Sequence, residues 1–233
     1  MDKKIDIGGI VARIDALLKA GEDARAEKEL IEAVSNYTQA EPDDIVGQSV
    51  LWNELGSFYR SRRIFDKGEE AYLRAKALLE ETRGYACVVE DPAPISGCGA
   101  CDASGYSGPC CGDGDEGRWI RTEIIYKNES MTANYATILN NLAGLYRMEK
   151  QLQKAADTFD RAIEIYEACQ KDIPPDDLAS VYNNKGLVYL DIRDGEKARH
   201  IFMKAKEILE KAGDHKYALG TTLSNLGFAA VIE

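Results

Sequence analysis

The sequence predicts an all-α protein of stacked helical hairpins, interrupted once by a cysteine- and glycine-rich insertion with a β-hairpin-like character. Three observations carry that expectation. One spacing of large and small residues recurs along the 233-residue chain. The recurrences stand roughly one helical hairpin apart, and a single stretch departs in composition from all that surrounds it.

In chain order, the first unit is the loosest, with Val11, Ile14, Asp15, Leu18, Ala24, Glu27, Ile31 and Val34. The second is the clearest, with Trp52, Leu55, Gly56, Tyr59, Phe65, Gly68, Tyr72 and Ala75. The third carries Leu139, Leu142, Ala143, Tyr146, Leu152, Ala155, Phe159 and Ala162. The fourth carries Tyr182, Lys185, Gly186, Tyr189, Gly195, Ala198, Phe202 and Ala205. A fifth opens with Leu223, Leu226, Gly227 and Ala230 and has no second half.

Large residues at i, i+3 and i+7 make the apolar stripe of a first helix, and the adjoining Gly or Ala lets a second helix cross close by. Each hairpin leaves an apolar edge that another hairpin must cover, so the units stack. Pro42-Asp43-Asp44 and Pro174-Pro175-Asp176-Asp177 set acidic residues where helices begin. On this spacing Trp52, Tyr59, Tyr146 and Tyr189 are core residues, Cys169 is a small buried residue, and His200 and His215 lie on the surface.

This pattern resembles the tetratricopeptide repeat (TPR), with its Trp/Leu, Leu, Gly, Tyr first helix and Ala, Phe, Ala second helix. The resemblance covers residues 43–83 and 131–232 well and 5–40 weakly. Lys185 replaces the usual Leu and Gly68 the usual Ala; the Lys185 stem can lie along the core while its amine reaches out. The matching positions Ile14, Leu55, Leu142, Lys185 and Leu226 are spaced by 41, 87, 43 and 41 residues. The ordinary step is about 34, so the chain looks like the long-repeat class of kinesin light chains and bacterial peptide-sensing regulators. The resemblance implies a right-handed α-α superhelix whose first helices line a concave groove.

The same resemblance places Asn53 and Arg60, then Asn140, Asn141, Gly144 and Arg147, on the groove wall. Asn183, Asn184 and Leu187 follow, and then Ser224, Asn225 and Phe228. In the long-repeat relatives an asparagine at the place of Asn141, Asn184 and Asn225 holds an extended peptide by its main chain, and the resemblance implies that role here. A side-chain amide, with donors and an acceptor, suits a peptide backbone whatever its sequence. The alternative is that these asparagines bond within the stack and bridge neighbouring helices.

The 87-residue step exceeds one repeat, which sets an insertion at residues 84–130 between repeat blocks 1–83 and 131–233. Residues 84–117 hold eight of the 20 glycines, three of the six prolines and five of the six cysteines. That density forbids a continuous helix. Its flanks, Tyr85–Val89 and the alternating stretch from Ile120 to Lys127, read as strands that pair antiparallel. A helical turn over 118–128 is the competing assignment.

Cys98-Gly-Ala-Cys101 lets two thiolates reach one metal, and Cys110, Cys111 or Cys87 could complete a Zn²⁺ shell or hold an iron–sulfur cluster. Adjacent cysteines fit such a shell poorly. Disulfides, a loop of free thiols and a grafted segment are the other readings. Asp113, Asp115 and Glu116 lack the spacing of a calcium loop.

Charge narrows the partners. With 40 acidic and 29 basic residues the chain has a formal net charge of −11, which disfavours nucleic acid and anionic membranes and favours a neutral or basic protein or peptide. Two histidines, no P-loop and no nucleophile–base set predict a non-enzymatic protein. No 18-residue apolar run and no leader-like start predict a soluble, cytoplasmic one. The apolar end at Leu226–Ile232 predicts either a piece of a longer protein or self-association through the C-terminal helix.

Overall fold

The computed structural model describes residues 5–81, 86–90, 120–124, 129–168 and 174–232. The chain divides into two compact units, residues 1–82 with 128–233, and residues 83–127. The first unit is the expected stack. Its described helices are α1 (Ile7–Lys19), α2 (Asp23–Ala40), α3 (Ile45–Ser61), α4 (Phe65–Glu81) and α5 (Glu129–Met148). They continue as α6 (Leu152–Ala168), α7 (Pro175–Ile192), α8 (Gly195–Ala212) and α9 (Lys216–Ile232). Odd-numbered helices are the first helices of each hairpin and even-numbered ones the second.

Local chemistry sets the boundaries. Asp44 caps α3 by accepting from the Gly47 amide at 2.9 Å, and Asp194 caps α8 by accepting from the Lys197 amide at 3.0 Å. Pro175 opens α7, followed by Asp176 and Asp177 at its positive end. His215, just before α9, returns to this point with Nδ1 2.8 Å from the exposed Asp176 carboxylate.

Each hairpin turns through one left-handed residue: Gly21, Arg63, Lys150 and Arg193, with φ of 75°, 59°, 63° and 68°. Behind each runs the same long bond, from Glu22 N to Leu17 O, Ile64 N to Tyr59 O, Gln151 N to Tyr146 O and Asp194 N to Tyr189 O. These are Schellman closures that occupy the orphan carbonyls of the first helix.

The interior repeats from unit to unit. Tyr72, Phe159 and Phe202 are wholly buried, and Tyr72 and Phe202 face Gly56 and Gly186 of their first helices. A Cβ at Gly56 would stand 2.6 Å from the Tyr72 ring, which is why the position is small. Tyr59 and Tyr146 are buried at matching places, while Trp52 and Tyr189 are half-buried against the core. First helices touch the next first helix at α1/α3, α3/α5, α5/α7 and α7/α9, whereas no described second helix touches another. First helices therefore form the inner wall of the curve.

In the second unit β1 (Ala86–Glu90) pairs antiparallel with β2 (Ile120–Ile124), with Val88 opposite Thr122. Residues 120–124 are thus a strand, not the competing helical turn, and α5 starts at Glu129.

Candidate functional site

The inner wall is held by a repeated pair of amides. Asn141 on α5 donates its Nδ2 to Asn53 Oδ1 on α3 at 3.0 Å. Asn184 on α7 donates to Asn140 Oδ1 on α5 at 3.0 Å. Asn225 on α9 donates to Asn183 Oδ1 on α7 at 3.4 Å. Donor and acceptor occupy adjacent positions of one helix, so each of α5 and α7 offers a donor to the helix before it and an acceptor to the helix after it. Asn183 additionally donates to Thr222 Oγ1 at 2.8 Å.

Burial explains the pairing. Asn53 and Asn183 are both 8% exposed, and an amide so placed needs a partner. Asn140, Asn141, Asn184 and Asn225 are half-buried. The alternative raised from the sequence, that these amides bridge neighbouring helices, is what the side chains do. A rung occupies one N–H of its donor, and a side-chain amide has a second N–H and a carbonyl oxygen besides.

The arginines also work between units. Arg60 Nη1 donates to the Asn141 carbonyl at 3.1 Å and lies over Gly144, where a Cβ would come within 2.9 Å of it. Arg147 Nε donates to Asp191 at 2.8 Å. Lys185 is buried along its stem and pairs at its tip with the half-exposed Asp160 carboxylate. Arg60 and Arg147, which the resemblance set on the groove wall, and Lys185 are thus all matched to acceptors of the chain itself.

A second ladder backs the wall. Tyr59 donates to Glu27 at 2.9 Å and Tyr146 to Glu69 at 2.8 Å, each reaching the second helix of the preceding unit. Lys67 and Lys154 lie over these rings, 5.0 and 3.8 Å from the centroids, and bond the same carboxylates. Burial alone would raise Glu69, but the Lys154 and Tyr146 hydrogen bonds outweigh it and hold the carboxyl below its usual range. Burial and the Glu69 bond push the Tyr146 phenol up. Lys197 repeats the stacking over Tyr189 at 5.9 Å, where the matching acid is replaced by Ala156. The Tyr-to-Lys interval of eight residues was the available sequence signal for this ladder.

The first seam differs. Glu54 stands where Asn141, Asn184 and Asn225 stand in later units, and the matching acceptor position on α1 is Ala12. Here a cleft of about 140 Å³ opens between α1 and α3, walled by Val11, Ile14, Leu18 and Phe58 and edged by Asp15 and Glu54. Burial and then the Asp15 charge push the Glu54 carboxyl up; the Asn53 hydrogen bond and Arg60 pull less strongly the other way. The sequence signal for this cleft was the missing asparagine.

Of the cysteines proposed as metal ligands, Cys98, Cys101, Cys110 and Cys111 lie outside the described residues, as does Cys169. Cys87 falls on β1 opposite Glu123. Among the described residues no group of three or more His, Cys, Asp or Glu side chains is arranged to hold a metal. No described helix is long and apolar enough to cross a membrane.

No protein-family model and no curated protein matches the chain. Solved structures do. BtubC (BKLC) from P. vanneervenii superposes with a TM-score of 0.66 at 20% identity, covering 97% of this chain and 74% of that one. The apo form of RapI gives 0.62 at 15% identity, covering 94% of this chain and 46% of RapI. The nearly identical TPR-like repeats of a Podosopora anserina protein assigned to the kinesin light chains give 0.64 at 10% identity, covering 100% and 89%. At these identities the likeness is one of fold: the chain has the architecture of TPR-like helical repeat solenoids.

Proposed function

We propose that this chain is a protein-interaction scaffold that holds an extended segment of a protein partner along its inner wall. The observation that supports this best is the row of half-buried amides Asn141, Asn184 and Asn225, one per unit, each fixed by a rung. An amide whose orientation is already set loses little rotamer freedom when it meets a peptide group. Regular spacing lets one extended chain meet successive amides in turn. The rungs thus serve both alternatives, bracing the stack and aiming the groove.

The partner is neutral or basic. A chain of net charge −11 draws such segments. Arg60, Arg147 and Lys185 are already matched to acceptors of the protein, so a groove specialised for carboxylates is not favoured. The test captures partners from extract by cross-linking and follows the dominant one by calorimetry. Asn141→Ala with Asn184→Ala weakens it at least about tenfold. Asn53→Ala with Asn140→Ala removes only the rung acceptors and weakens it less. Equal binding by the first variant and the unsubstituted protein overturns the reading.

A further inference from the structure

The last helix, α9, leaves one face bare. Tyr217, Leu223, Phe228 and Val231 are 92%, 48%, 60% and 85% exposed. Gly220 and Gly227 have no atom within 4 Å of where a Cβ would stand. In earlier units the positions matching Gly220 are Ser49, Ala136 and Ala179, and those matching Gly227 are Gly56, Ala143 and Gly186, all of them buried. Gly56 and Gly186 each receive an aromatic ring. The α9 face is therefore cut for a helix at close range that carries large side chains opposite the two glycines.

We propose that a second copy of this chain covers it, α9 packing antiparallel on α9 about a two-fold axis near Ser224 and Asn225. Charge selects this occupant. The chain carries −11, so two copies repel over most of their surfaces. Among the described helices, only α9 has neither Asp nor Glu, its sole charge being Lys216 at the start.

Shape selects it as well. The only exposed aromatic residues among those described, Tyr217 and Phe228, lie on α9 itself. With the axis at the helix centre, Leu223 of each copy meets Gly227 of the other, Phe228 meets Gly220 and Thr221, and Tyr217 meets Val231. Both glycine cradles are filled in one register, and the patch is complementary to itself, as a two-fold contact requires. One helix pair is a small interface, so association is weak, with a dissociation constant on the order of 10–100 µM. This inference does not depend on the groove reading, but the two surfaces meet at Ser224, Asn225 and Phe228, which that reading also places on the groove wall.

Sedimentation equilibrium of the full chain in reductant, from about 1 to about 300 µM, tests it. The mass rises from one chain to two across that range. Phe228→Glu weakens association at least about tenfold, with an unchanged thermal melt because the residue is exposed. Gly227→Leu separates a shaped cradle from general stickiness: it adds apolar surface yet blocks close approach, so the dimer weakens. A single-chain mass throughout, which is the result if a helix of another protein covers α9, overturns the proposal. So does a dimer that survives Phe228→Glu, or one that Gly227→Leu strengthens.

Discussion

The seam between α1 and α3 and the three seams that follow it are built on one repeat plan with different outcomes. At α3/α5, α5/α7 and α7/α9 a donor amide meets an acceptor amide across the inner wall. At α1/α3 the donor is replaced by Glu54 and the acceptor position by Ala12, and the helices stand over a cleft edged by Asp15. A buried amide needs its counterpart, so both members of a rung must be present together; with both absent the seam carries ionisable groups instead. The difference shows that an inter-unit contact is a two-residue property, one residue on each hairpin.

Several substitutions would break or sharpen this contrast. The largest effect belongs to the core beneath the later seams. Phe159→Ala removes a wholly buried ring and costs about 3–5 kcal/mol in urea unfolding. Ile14→Ala beside the open first seam costs about 2 kcal/mol, at the low end for such a truncation. An equal loss at both sites would erase the distinction.

Rungs come next. Asn184→Ala leaves Asn140 without its donor and costs about 1–2 kcal/mol, with amide exchange quickening on α5 and α7. Installing the missing rung, Ala12→Asn with Glu54→Asn, slows exchange on α1 by about fivefold; no slowing would mean that the cleft has another cause.

Protons act oppositely at the two kinds of seam. The Glu54 carboxyl is raised in the fold, so its ionisation penalty is absent at low pH and appears as pH climbs above the unfolded value. Glu69 is lowered, so its contribution is present above the unfolded value and is lost as pH falls through its folded pKa. As pH falls toward the ordinary carboxylate range, α1 protection therefore increases in the natural sequence and stays level in Glu54→Gln, while the Glu69 contribution holds until the solution is more acidic. A decrease in α1 protection would contradict the assignment.

The smallest effect lies in the turns. Arg193→Gly relieves a left-handed residue and stabilises by about 0.5–1 kcal/mol in thermal melts. Gly21→Ala, at the matching turn of the first hairpin, loses a similar amount.

How legible the molecule was depended on the kind of signal. The stack could be read because apolar spacing is a local property of one helix, repeated: Leu55, Gly56, Tyr59 and Tyr72 announce a hairpin without reference to any other. One insertion arm was legible through its strand-forming residues and the other through its alternation, and β1 and β2 pair as expected. The asparagine row was legible as a repeated residue type, but its bonding was not. Asn53 and Asn141 are 88 residues apart, and nothing along the chain says which amide accepts from which. The Tyr146–Glu69–Lys154 cluster and the His215–Asp176 bridge escaped for the same reason, joining residues of different hairpins.

Sequence alone thus determined the repeat length and the hairpin interiors, since each depends on helical periodicity within a few turns. Tertiary structure decided which polar groups are paired, which seam stays open and which helix face is left bare. Those depend on where one hairpin sets a side chain relative to the next, and burial gives a polar atom its need for a partner only once that neighbour is in place.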